Sequence, residues 1–467
     1  MKKALLGLLL CCLTVIGCHS GGLRLRLPLE DEGEIYLYLQ PLPQEAERLT
    51  FRLGAVSAIG SDGTEFPCSV LLNELRAREK RRQRLLATCV LPAGDYTGFS
   101  SRAASASLQG EAGGAALLVA DLPARVDFKF SVTRRQASVI SLALRYGDAV
   151  EGGFRFSPAF SAFRPDRPPI NLMGFVANSR SNTITVFDKR SFQVFDVLAT
   201  GREPSGMALD QRARRAYVAL TGEDSIDVID VLAGTLSDRI RLTPGDEPRE
   251  LALTPDGKIL LSANPGSNTV SVIDTGSRVE LTRIRVENGP NSILVEPTGR
   301  QAFVFNAKSN TISVLDIPGR AVIRSIATDS GPVRGQFNRR GDRLYVIHEI
   351  SSYVLVINPV TLTTLGRFLV RSGMDAIQVD PGTDLIYLGK KRDFMVGLHD
   401  PLSFAVVGFV DTGAGIAHMA VDGDTNSLFL VSPETRSVLA TNLISKGKVG
   451  EFDVGDGPYW VTMMGER

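Results

Sequence analysis

The chain contains little that marks the common catalytic or nucleic-acid-binding classes. Its 52 lysines and arginines are balanced by 51 aspartates and glutamates, so the formal net charge is +1, and this gives no reason to expect nucleic acid as a partner. It has four histidines and one tryptophan. It lacks the G-x-S-x-G, P-loop, clustered Cys-His and H-E-x-x-H phrases that hold nucleophiles, phosphates or metals. The sequence therefore predicts no catalytic residue, no metal site and no cofactor.

Long apolar runs are also scarce, and the one prominent run lies at the N-terminus. Two lysines precede an apolar run over residues 4–13, which is too short to span a bilayer as a helix and indicates a signal peptide over residues 1–17. The phrase VIGC at 15–18 resembles a bacterial lipobox, in which cleavage before the cysteine leaves a thiol that is lipidated. By this resemblance Cys18 anchors the protein to a membrane of the bacterial cell envelope. We expect its periplasmic or cell-surface face, and His19, which is not a retention-type Asp, favours the outer membrane.

Cysteine is scarce, with five residues in 467. Two of the five leave with the signal peptide and Cys18 carries lipid, so Cys68 and Cys89 remain as a pair in an oxidising compartment. They lie 21 residues apart in the strand-like phrases EFPCSVLL and LLATCVLP. We predict a disulfide between them, which would stabilise the fold by about 3 kcal/mol. The alternative is two buried free thiols.

The N-terminal part of the mature chain is predicted to fold as a small domain behind a tether. Residues 18–32 are rich in glycine and charge and are assigned to the tether. Over residues 33–150 apolar and polar residues alternate, as in EIYLYLQ and RVDFKFSV, which is typical of half-buried antiparallel strands. We predict an immunoglobulin-like β-sandwich. The phrase LPAGDYTGF at 91–99 resembles a segment of the sandwich domains near the N-terminus of many bacterial lipoproteins, and it implies no chemistry.

Two segments depart from this alternation. Residues 73–84, NELRAREKRRQR, include six basic residues among twelve. They form either a solvated hairpin or turn whose glutamates pair locally, or a patch that meets anionic head groups or an acidic partner. Residues 151–171 form a Pro- and Phe-rich connector, in which the prolines exclude a central strand and the phenylalanines favour packing between two domains. We therefore expect a fixed orientation of the sandwich on the domain that follows.

Residues 172–467 repeat one pattern seven times. A V-x-V-I-D-like phrase ends in an acidic or amide residue at intervals of 42, 44, 42, 42, 42 and 42 residues, at Asp188, Asp230, Asp274, Asp316, Asn358, Asp400 and Asn442. A second column keeps the same spacing, at Pro204, Pro248, Pro290, Pro332, Met374, Ile416 and Pro458. Repeats of about 40–45 residues with short strands are typical of a β-propeller with four strands per blade. The sequence therefore predicts an all-β chain with a seven-bladed β-propeller, whose repeats start near 172, 214, 258, 300, 342, 384 and 426.

The repeated polar residues are assigned to turns. Asn268 and its equivalents Asn182 and Asn310 fall in the first hairpin of their repeats, where asparagine tolerates positive φ and bonds its own backbone. The column of Asp and Asn ends the next strand and can do the same for the second turn. The last repeat ends in the strand-like phrase GPYWVTMM, and the first repeat has no such strand before it. The C-terminal strand is therefore predicted to be the innermost strand of the first blade.

The phrases FVANSRSNTITVFD at 175–188 and LLSANPGSNTVSVID at 260–274, with TPDG at 254–257, resemble the YVTN family of β-propeller repeats. The resemblance covers residues 172–467 and is strongest in the first four repeats. It implies a propeller and an extracytoplasmic location. It does not imply one reaction, because most of the family has no assigned function.

The residues that follow the proline column are predicted to line one rim of the propeller channel, with one contribution from each blade. Two arginines on one rim suit a carboxylate or phosphate, and an exposed tryptophan suits a sugar face or an apolar ring. The alternative is that the rim is polar only because it meets water. The candidate binding residues are Arg249, Glu250, Asn291, Arg334, Asp375, His418 and Trp460.

These observations favour a noncatalytic, lipid-anchored envelope protein whose propeller is a binding or scaffolding module for a protein or glycan partner. One alternative is a lactonase-like or lyase-like propeller enzyme acting at the channel rim. Against it, His348 and His399 occupy different repeat positions and do not build a metal site by register. Another alternative is an assembly factor for outer-membrane proteins, which no motif in the chain specifically supports.

Overall fold

A computed structural model describes residues 29–72, 74–75, 82–110, 113–370 and 373–465. The predicted signal peptide, the predicted lipidation site Cys18, most of the predicted tether and much of the basic segment 73–84 lie outside the described residues. The described chain is nearly all β-strand, with one short α-helix, α1 (Tyr146–Ala149), and 3₁₀ turns at Gln44–Ala46 and Ile170–Leu172. None of the helices in these ranges is long and apolar enough to cross a membrane.

The N-terminal part forms two five-stranded sheets and one small three-stranded sheet. Its strands are β1 (Glu32–Leu39), β2 (Leu49–Gly60), β3 (Glu65–Pro67), β4 (Ser69–Val70), β5 (Arg84–Pro92), β6 (Gly94–Gly110), β7 (Gly113–Ala116), β8 (Leu118–Val119), β9 (Ala124–Val132), β10 (Ala137–Leu144), β11 (Val150–Glu151), β12 (Arg155–Phe156) and β13 (Phe160–Phe163).

The two larger sheets share one apolar core. The first has the order β13-β10-β1-β5-β4, and the second has the order β3-β2-β6-β7 with β9 also paired to β6. Buried side chains from both, such as Leu37 and Phe99, belong to the same cluster. The expectation of half-buried antiparallel strands is wrong for β1, which is buried on both faces and pairs in parallel with β10. The reason is that successive side chains of a strand point to opposite faces, so Leu37 packs in this core while Tyr36 packs against the propeller. The predicted Cys68–Cys89 disulfide is present. It links the two sheets, because Cys68 hydrogen-bonds through its backbone to Val56 on β2 while Cys89 lies on β5.

The segment predicted as a connector contributes to these sheets before it reaches the propeller. β13 pairs with β10, and Phe156 and Phe160 are buried in the shared core. Farther along, Arg167 Nη2 donates a hydrogen bond of 2.6 Å to the carbonyl oxygen of Val231 in the propeller. Phe156 and Phe160 thus pack within the N-terminal domain and not between two domains, whereas Phe154 and Phe163 are exposed. The residues after β13 make the contact with the propeller.

The propeller consists of seven four-stranded antiparallel sheets within the described residues. Its strands are β14 (Met173–Asn178), β15 (Thr183–Asp188), β16 (Gln193–Ala199), β17 (Pro204–Asp210), β18 (Arg215–Leu220), β19 (Ser225–Asp230), β20 (Thr235–Arg241), β21 (Glu250–Leu253), β22 (Ile259–Asn264), β23 (Thr269–Asp274), β24 (Val279–Arg285), β25 (Pro290–Val295), β26 (Gln301–Asn306), β27 (Thr311–Asp316), β28 (Ala321–Ala327), β29 (Pro332–Phe337), β30 (Leu344–His348), β31 (Tyr353–Asn358), β32 (Thr363–Leu369), β33 (Ala376–Val379), β34 (Ile386–Gly389), β35 (Met395–His399), β36 (Val406–Asp411), β37 (His418–Asp422), β38 (Ser427–Ser432), β39 (Ser437–Asn442), β40 (Lys448–Asp453) and β41 (Pro458–Met463).

The first and last parts of the propeller sequence share a sheet. β41 pairs with β14, so this sheet has the order β16-β15-β14-β41, and the prediction that the C-terminal strand closes the ring is confirmed. We call this sheet blade 1 and number the others in chain order, so that blade 2 holds β17 to β20 and blade 7 holds β37 to β40. The innermost strands contact one another in sequence and return from β41 to β17. Closure in this way removes a free sheet edge at the two ends of the repeat array.

The repeated polar residues lie in turns, as predicted. Asn182, Asn268 and Asn310 have φ of 55°, 57° and 58°. The sequence predicts that these side chains bond their own backbone, but the bond of Asn268 reaches the next blade: its Oδ1 accepts a 2.8 Å hydrogen bond from the backbone N–H of Gly289 at the entry to blade 4. In the second column, Asp230 Oδ1 accepts a hydrogen bond from the backbone N–H of Ala233. The side-chain oxygens of both columns therefore accept hydrogen bonds from backbone N–H groups.

The N-terminal domain packs against blades 1 and 7. Tyr36, Leu85 and Val139 from its first sheet share a buried cluster with propeller residues that include Phe187 and Phe452. Burial of apolar side chains from both domains in one cluster holds the two domains in one orientation.

Polar contacts at the edge of this cluster come from the described end of the basic segment. The side chain of Gln83 donates to and accepts from the backbone of Val194, at 3.1 and 2.7 Å. Arg84 Nε lies 2.8 Å from Asp453 Oδ2, and Arg82 forms an ion pair with Glu451. At this end of the segment the basic side chains bind acidic residues, but these belong to blade 7 of the same chain and not to head groups or a separate partner.

Candidate functional site

The rim is set by a recurring irregularity at the start of the innermost strands. In blades 2, 4 and 5 the pairing register shifts directly after the column proline, for example between Pro332 and Arg334. Proline has no backbone N–H to donate, so it is suited to the first position of a strand. The extra residue re-aims the side chains that follow. Arg334 therefore comes from the start of β29, close to the channel mouth.

Arg334 and Glu250 form an ion pair across the channel, from blade 5 to blade 3. Both are buried, with 8% and 1% of the residue surface exposed. Burial alone lowers the pKa of Arg334, but Glu250 and Tyr459 raise it and the net direction is upward, so the guanidinium stays charged. Gly206 makes room for this pair, because a Cβ there would lie 2.7 Å from Glu250 Cα.

His418 and Trp460 stack beside this ion pair. Their ring centroids are 3.8 Å apart with an interplanar angle of 24°, and the guanidinium carbon of Arg334 lies 4.9 Å from the Trp460 ring centroid. Nδ1 of His418 accepts a 3.3 Å hydrogen bond from the backbone N–H of Val461. Burial and the charge of Arg334 hold the pKa of His418 well below its ordinary value. The imidazole is therefore neutral at pH 7, with its proton on Nε2.

Arg249 completes the group from the loop before β21. Its Nε donates a 3.2 Å hydrogen bond to the hydroxyl oxygen of Tyr459, and its guanidinium carbon lies 5.8 Å from the centre of that ring. The electrostatic interaction with Tyr459 raises the pKa of Arg249 more than burial lowers it. Arg249, Tyr459 and Trp460 are partly exposed, so this is the side of the cluster that meets solvent.

Two of the seven predicted rim residues do not join the cluster. Asn291 Nδ2 donates a 3.0 Å hydrogen bond to the carbonyl oxygen of Val333 in the next blade. Asp375 accepts a hydrogen bond from the backbone N–H of Lys391 and lies 3.3 Å from Lys391 Nζ. Five of the predicted rim residues thus lie together, namely Arg249, Glu250, Arg334, His418 and Trp460. The other two, Asn291 and Asp375, bind Val333 and Lys391 instead.

Other titratable side chains of the propeller lie away from this cluster. His348 Nδ1 is 3.1 Å from the carbonyl oxygen of Tyr353 within blade 5, and His399 Nδ1 is 3.0 Å from that of Phe404 within blade 6. Burial lowers the pKa of His348. Across the described ranges, no three side chains of His, Cys, Asp or Glu are grouped closely enough to hold a metal ion.

The sequence prediction omits two residues that the structure makes prominent. Tyr459 precedes Trp460 on β41 and binds Arg249. Lys189 is fully buried and binds two aspartates at the opposite end of the blades from the rim. The repeat could have singled out Lys189, because this lysine stands at a repeat position that other blades fill with an apolar residue. Those residues, Val231, Ile317 and Leu443, are buried.

Comparison with known proteins agrees with this architecture. Residues 159–371 match the model of the YNCE-like beta-propeller family, and curated proteins give no match.

Solved structures with the same fold include three of different kinds. A functionally unknown protein from Desulfotomaculum acetoxidans DSM 771 has a TM-score of 0.56 at 14% identity, covering 63% of this chain and 99% of that one. Hydrazine synthase from Kuenenia stuttgartiensis has a TM-score of 0.50 at 19% identity, and the match covers 60% of this chain and 92% of that one. Dihydro-heme d1 dehydrogenase NirN in complex with DHE has a TM-score of 0.51 at 13% identity, and the match covers 65% of this chain and 77% of that one. At these identities the likeness shows the fold alone. The matched family model places residues 159–371 in a YVTN/YncE-type β-propeller family.

Proposed function

We propose that this protein is a noncatalytic, lipid-anchored binding module of the bacterial envelope, and that its channel mouth receives an oxygen-bearing group of a protein or glycan partner. The observation that carries the proposal is the incomplete hydrogen bonding of the buried Arg334 guanidinium. Glu250 occupies Nη2, while Nε and Nη1 are buried and have no hydrogen-bond partner among the described residues.

A buried N–H group without a partner costs about 1–3 kcal/mol. An acceptor oxygen of a carboxylate, a phosphate or a sugar hydroxyl would remove that cost, and arginine suits the first two because its N–H groups form a planar fork. The ion pair with Glu250 keeps the guanidinium in place before a ligand arrives. Such pre-organisation reduces the entropy that binding must overcome.

The surroundings of Arg334 support the same class of ligand. Nε2 of the neutral His418 is a second donor beside the Trp460 ring, which both Arg334 and His418 contact. The partly exposed faces of Trp460 and Tyr459 supply flat apolar surface of the kind that covers sugar rings and apolar side chains. The combination fits a group with acceptor oxygens on a flat or apolar body.

The same contacts favour binding over catalysis. A general base needs a pKa near the working pH, whereas the pKa of His418 lies well below its ordinary value and its Nδ1 already accepts a hydrogen bond. Glu250, the carboxylate of the cluster, is bound to Arg334. A lactonase-like or lyase-like reaction at this rim would have to break one of these contacts first.

The decisive variant is Arg334→Lys. Lysine keeps a positive charge for Glu250 but removes the planar fork, and Arg324→Lys, at an exposed position of β28, is the matched control. Partners are captured with the full-length tagged protein from detergent-solubilised envelope and then titrated against the purified protein, with Trp460 fluorescence as the reporter. We expect the captured ligand to change the emission of this single tryptophan, and Arg334→Lys to weaken binding at least tenfold.

Three results would overturn the proposal. They are equal affinity for Arg334→Lys and the control, an unchanged Trp460 emission at saturation, and chemical conversion of the ligand by the wild-type protein. The anchor is tested separately. Labelled palmitate should be incorporated into the wild-type protein and not into Cys18→Ser, and label in both would remove Cys18 as the lipid site.

A further inference from the structure

A cleft of roughly 530 Å³ lies between the N-terminal domain and blades 1 and 7. One wall is formed by β1, β4 and β5, and the other by the β14–β15 turn, the β38–β39 turn and the loop that joins β40 to β41. These turns are on the same face of the propeller as the channel mouth, because β41 begins there. The cleft is lined by different residues from the mouth cluster, and the inference below does not depend on the proposed function.

The floor of the cleft is apolar and its walls carry hydroxyl groups. Tyr36, Leu85 and Val454 line it and belong to the buried cluster between the domains. Ser69 and Thr88 from the N-terminal sheet, and Ser179 and Ser181 from blade 1, add hydroxyls. Clefts of 300–1,000 Å³ with mainly apolar walls and a few placed polar groups, at a junction between domains, are where small ligands usually bind.

Two arginines, Arg180 from blade 1 and Arg436 from blade 7, give the cleft its charge. Both line it and both are exposed, and neither has an ion pair with any part of the chain that the structure describes. Asp456 is the one carboxylate among the lining residues. The lining therefore carries two positive charges and one negative charge.

The β40–β41 loop holds both arginines by their backbones. The N–H of Arg180 donates a 3.1 Å hydrogen bond to the carbonyl oxygen of Asp456, and the carbonyl oxygen of Arg436 accepts a 2.9 Å bond from Val454. Gly457 has φ of +67°, and a Cβ at that position would lie 2.7 Å from Arg180 Cγ. The absence of a side chain at Gly457 thus gives the Arg180 side chain its place.

We infer that this interdomain cleft is a second binding site, and that it takes a small ligand in which a carboxylate or phosphate group is attached to a compact, partly apolar body. The anionic group would meet Arg180 and Arg436, which bind oxyanions through paired N–H donors. The apolar body would cover Leu85 and Val454, and ligand hydroxyls or amines would meet Asp456 and the serines. Because the ligand would contact both domains, it would also stabilise their docking.

The test uses the full mature chain and 8-anilinonaphthalene-1-sulfonate, whose aromatic body carries one anionic group. N-phenyl-1-naphthylamine has a similar body without the charge, and inorganic phosphate supplies an oxyanion without the body. The variants are Arg180→Gln combined with Arg436→Gln, which removes the charge, and Ser69→Trp, which fills the cleft from exposed β4. The control combines Arg320→Gln and Arg324→Gln on blade 4, where both positions are exposed.

We expect saturable binding of the sulfonate at one site of the wild-type protein, weakened at least tenfold by the double arginine variant and by Ser69→Trp. The control should bind as the wild type does. The neutral amine should bind at least tenfold more weakly, and phosphate should compete. Equal binding of the sulfonate to the double variant and the control, or equal binding of the charged and neutral probes, would overturn the inference. An altered circular dichroism spectrum of Ser69→Trp would show that this variant is misfolded, and the arginine variants alone would then test the inference.

Discussion

Lys189 places its ammonium nitrogen 2.7 Å from Asp422 Oδ1 in a position where the lysine side chain has no exposed surface. The same nitrogen lies 2.9 Å from Asp424 Oδ2 and 2.9 Å from the carbonyl oxygen of Met464. Its three donors are thus matched by three acceptors. Lys189 belongs to blade 1, both aspartates belong to blade 7, and Met464 follows the C-terminal strand, so one side chain joins the three parts of the chain that meet where the ring closes.

Replacement of Lys189 by Met should strongly destabilise the propeller. The substitution leaves Asp422, which is 5% exposed, without its counter-charge, and breaking a buried pair from one side costs about 3–5 kcal/mol. Urea unfolding followed by circular dichroism measures the change. Lys258→Met is the control, because the Lys258 side chain is 79% exposed and should change stability by less than about 0.5 kcal/mol. Equal midpoints for the two variants would contradict a closing role for Lys189.

The turn residues of the propeller could be predicted because the backbone conformation of each turn selects them locally. Asp230 binds a backbone N–H three residues away and Asn268 occupies a left-handed φ, so the same residue types recur wherever the turn recurs. The pairing of β41 with β14 followed from counting strands at the two ends. The turn residues and the strand register both recur with the repeat, so both can be read from the sequence.

The partners of side chains across the channel could not be predicted in this way. Repeat register places Arg334 and Asp375 on the same rim, yet Arg334 binds Glu250 two blades away while Asp375 binds Lys391 in its own blade. Which partner a rim side chain binds depends on the length of that side chain and on its burial, and neither follows the repeat. Contacts such as Gln83 with Val194 likewise join two domains that share no repeat.

Deletion of residues 458–467 should abolish the folded ring and not merely loosen one blade. β41 supplies the innermost strand of blade 1, and Val461 packs in the cluster shared with the N-terminal domain. Without β41, β14 exposes an unpaired edge and the ring lacks one inner strand. Thermal unfolding should lose its cooperative transition, whereas a deletion limited to residues 466–467 should preserve it. A normal melt of the longer deletion would refute closure by the C-terminal strand.

Removal of the polar contacts at the domain boundary should free the N-terminal domain. Asp453 Oδ2 accepts hydrogen bonds from Arg84 Nε and from the backbone N–H of Leu85, at 2.8 and 3.1 Å. Hydrogen bonds to a charged group contribute about 1.5–3 kcal/mol each. The double variant Gln83→Ala, Asp453→Ala should therefore increase the radius of gyration in small-angle scattering and expose residues 164–171 to protease.

The control for this experiment is Asp31→Ala, since the Asp31 side chain is 85% exposed in its ion pair with Arg134. It should leave the scattering profile unchanged. A double variant that scatters like this control would mean that the apolar cluster holds the domains together without the polar contacts.

Asp196 should make the stability of the domain boundary depend on pH. It lies on β16 in a cavity shared with Arg164 and Arg167, at the contact with the N-terminal domain. Burial raises the pKa of Asp196 to about 6, against the hydrogen bond from the Val197 N–H and the charge of Arg167. The folded protein thus holds this proton more tightly than the unfolded chain, so the stabilisation is present at low pH and is lost as pH rises through about 6.

Asparagine keeps the shape of Asp196 and an oxygen for the Val197 N–H but carries no charge at any pH. Asp196→Asn should therefore match the wild type near pH 4 and exceed its stability at pH 8, by on the order of 1 kcal/mol once partial exposure is allowed for. Urea unfolding at pH 4.5, 6 and 8 measures the difference. Asp411→Asn is the control, because Asp411 is exposed and also accepts a backbone hydrogen bond, from Gly413. A stability difference for Asp196→Asn that stays constant from pH 4.5 to 8 would show that the carboxylate is charged in the folded protein throughout this range.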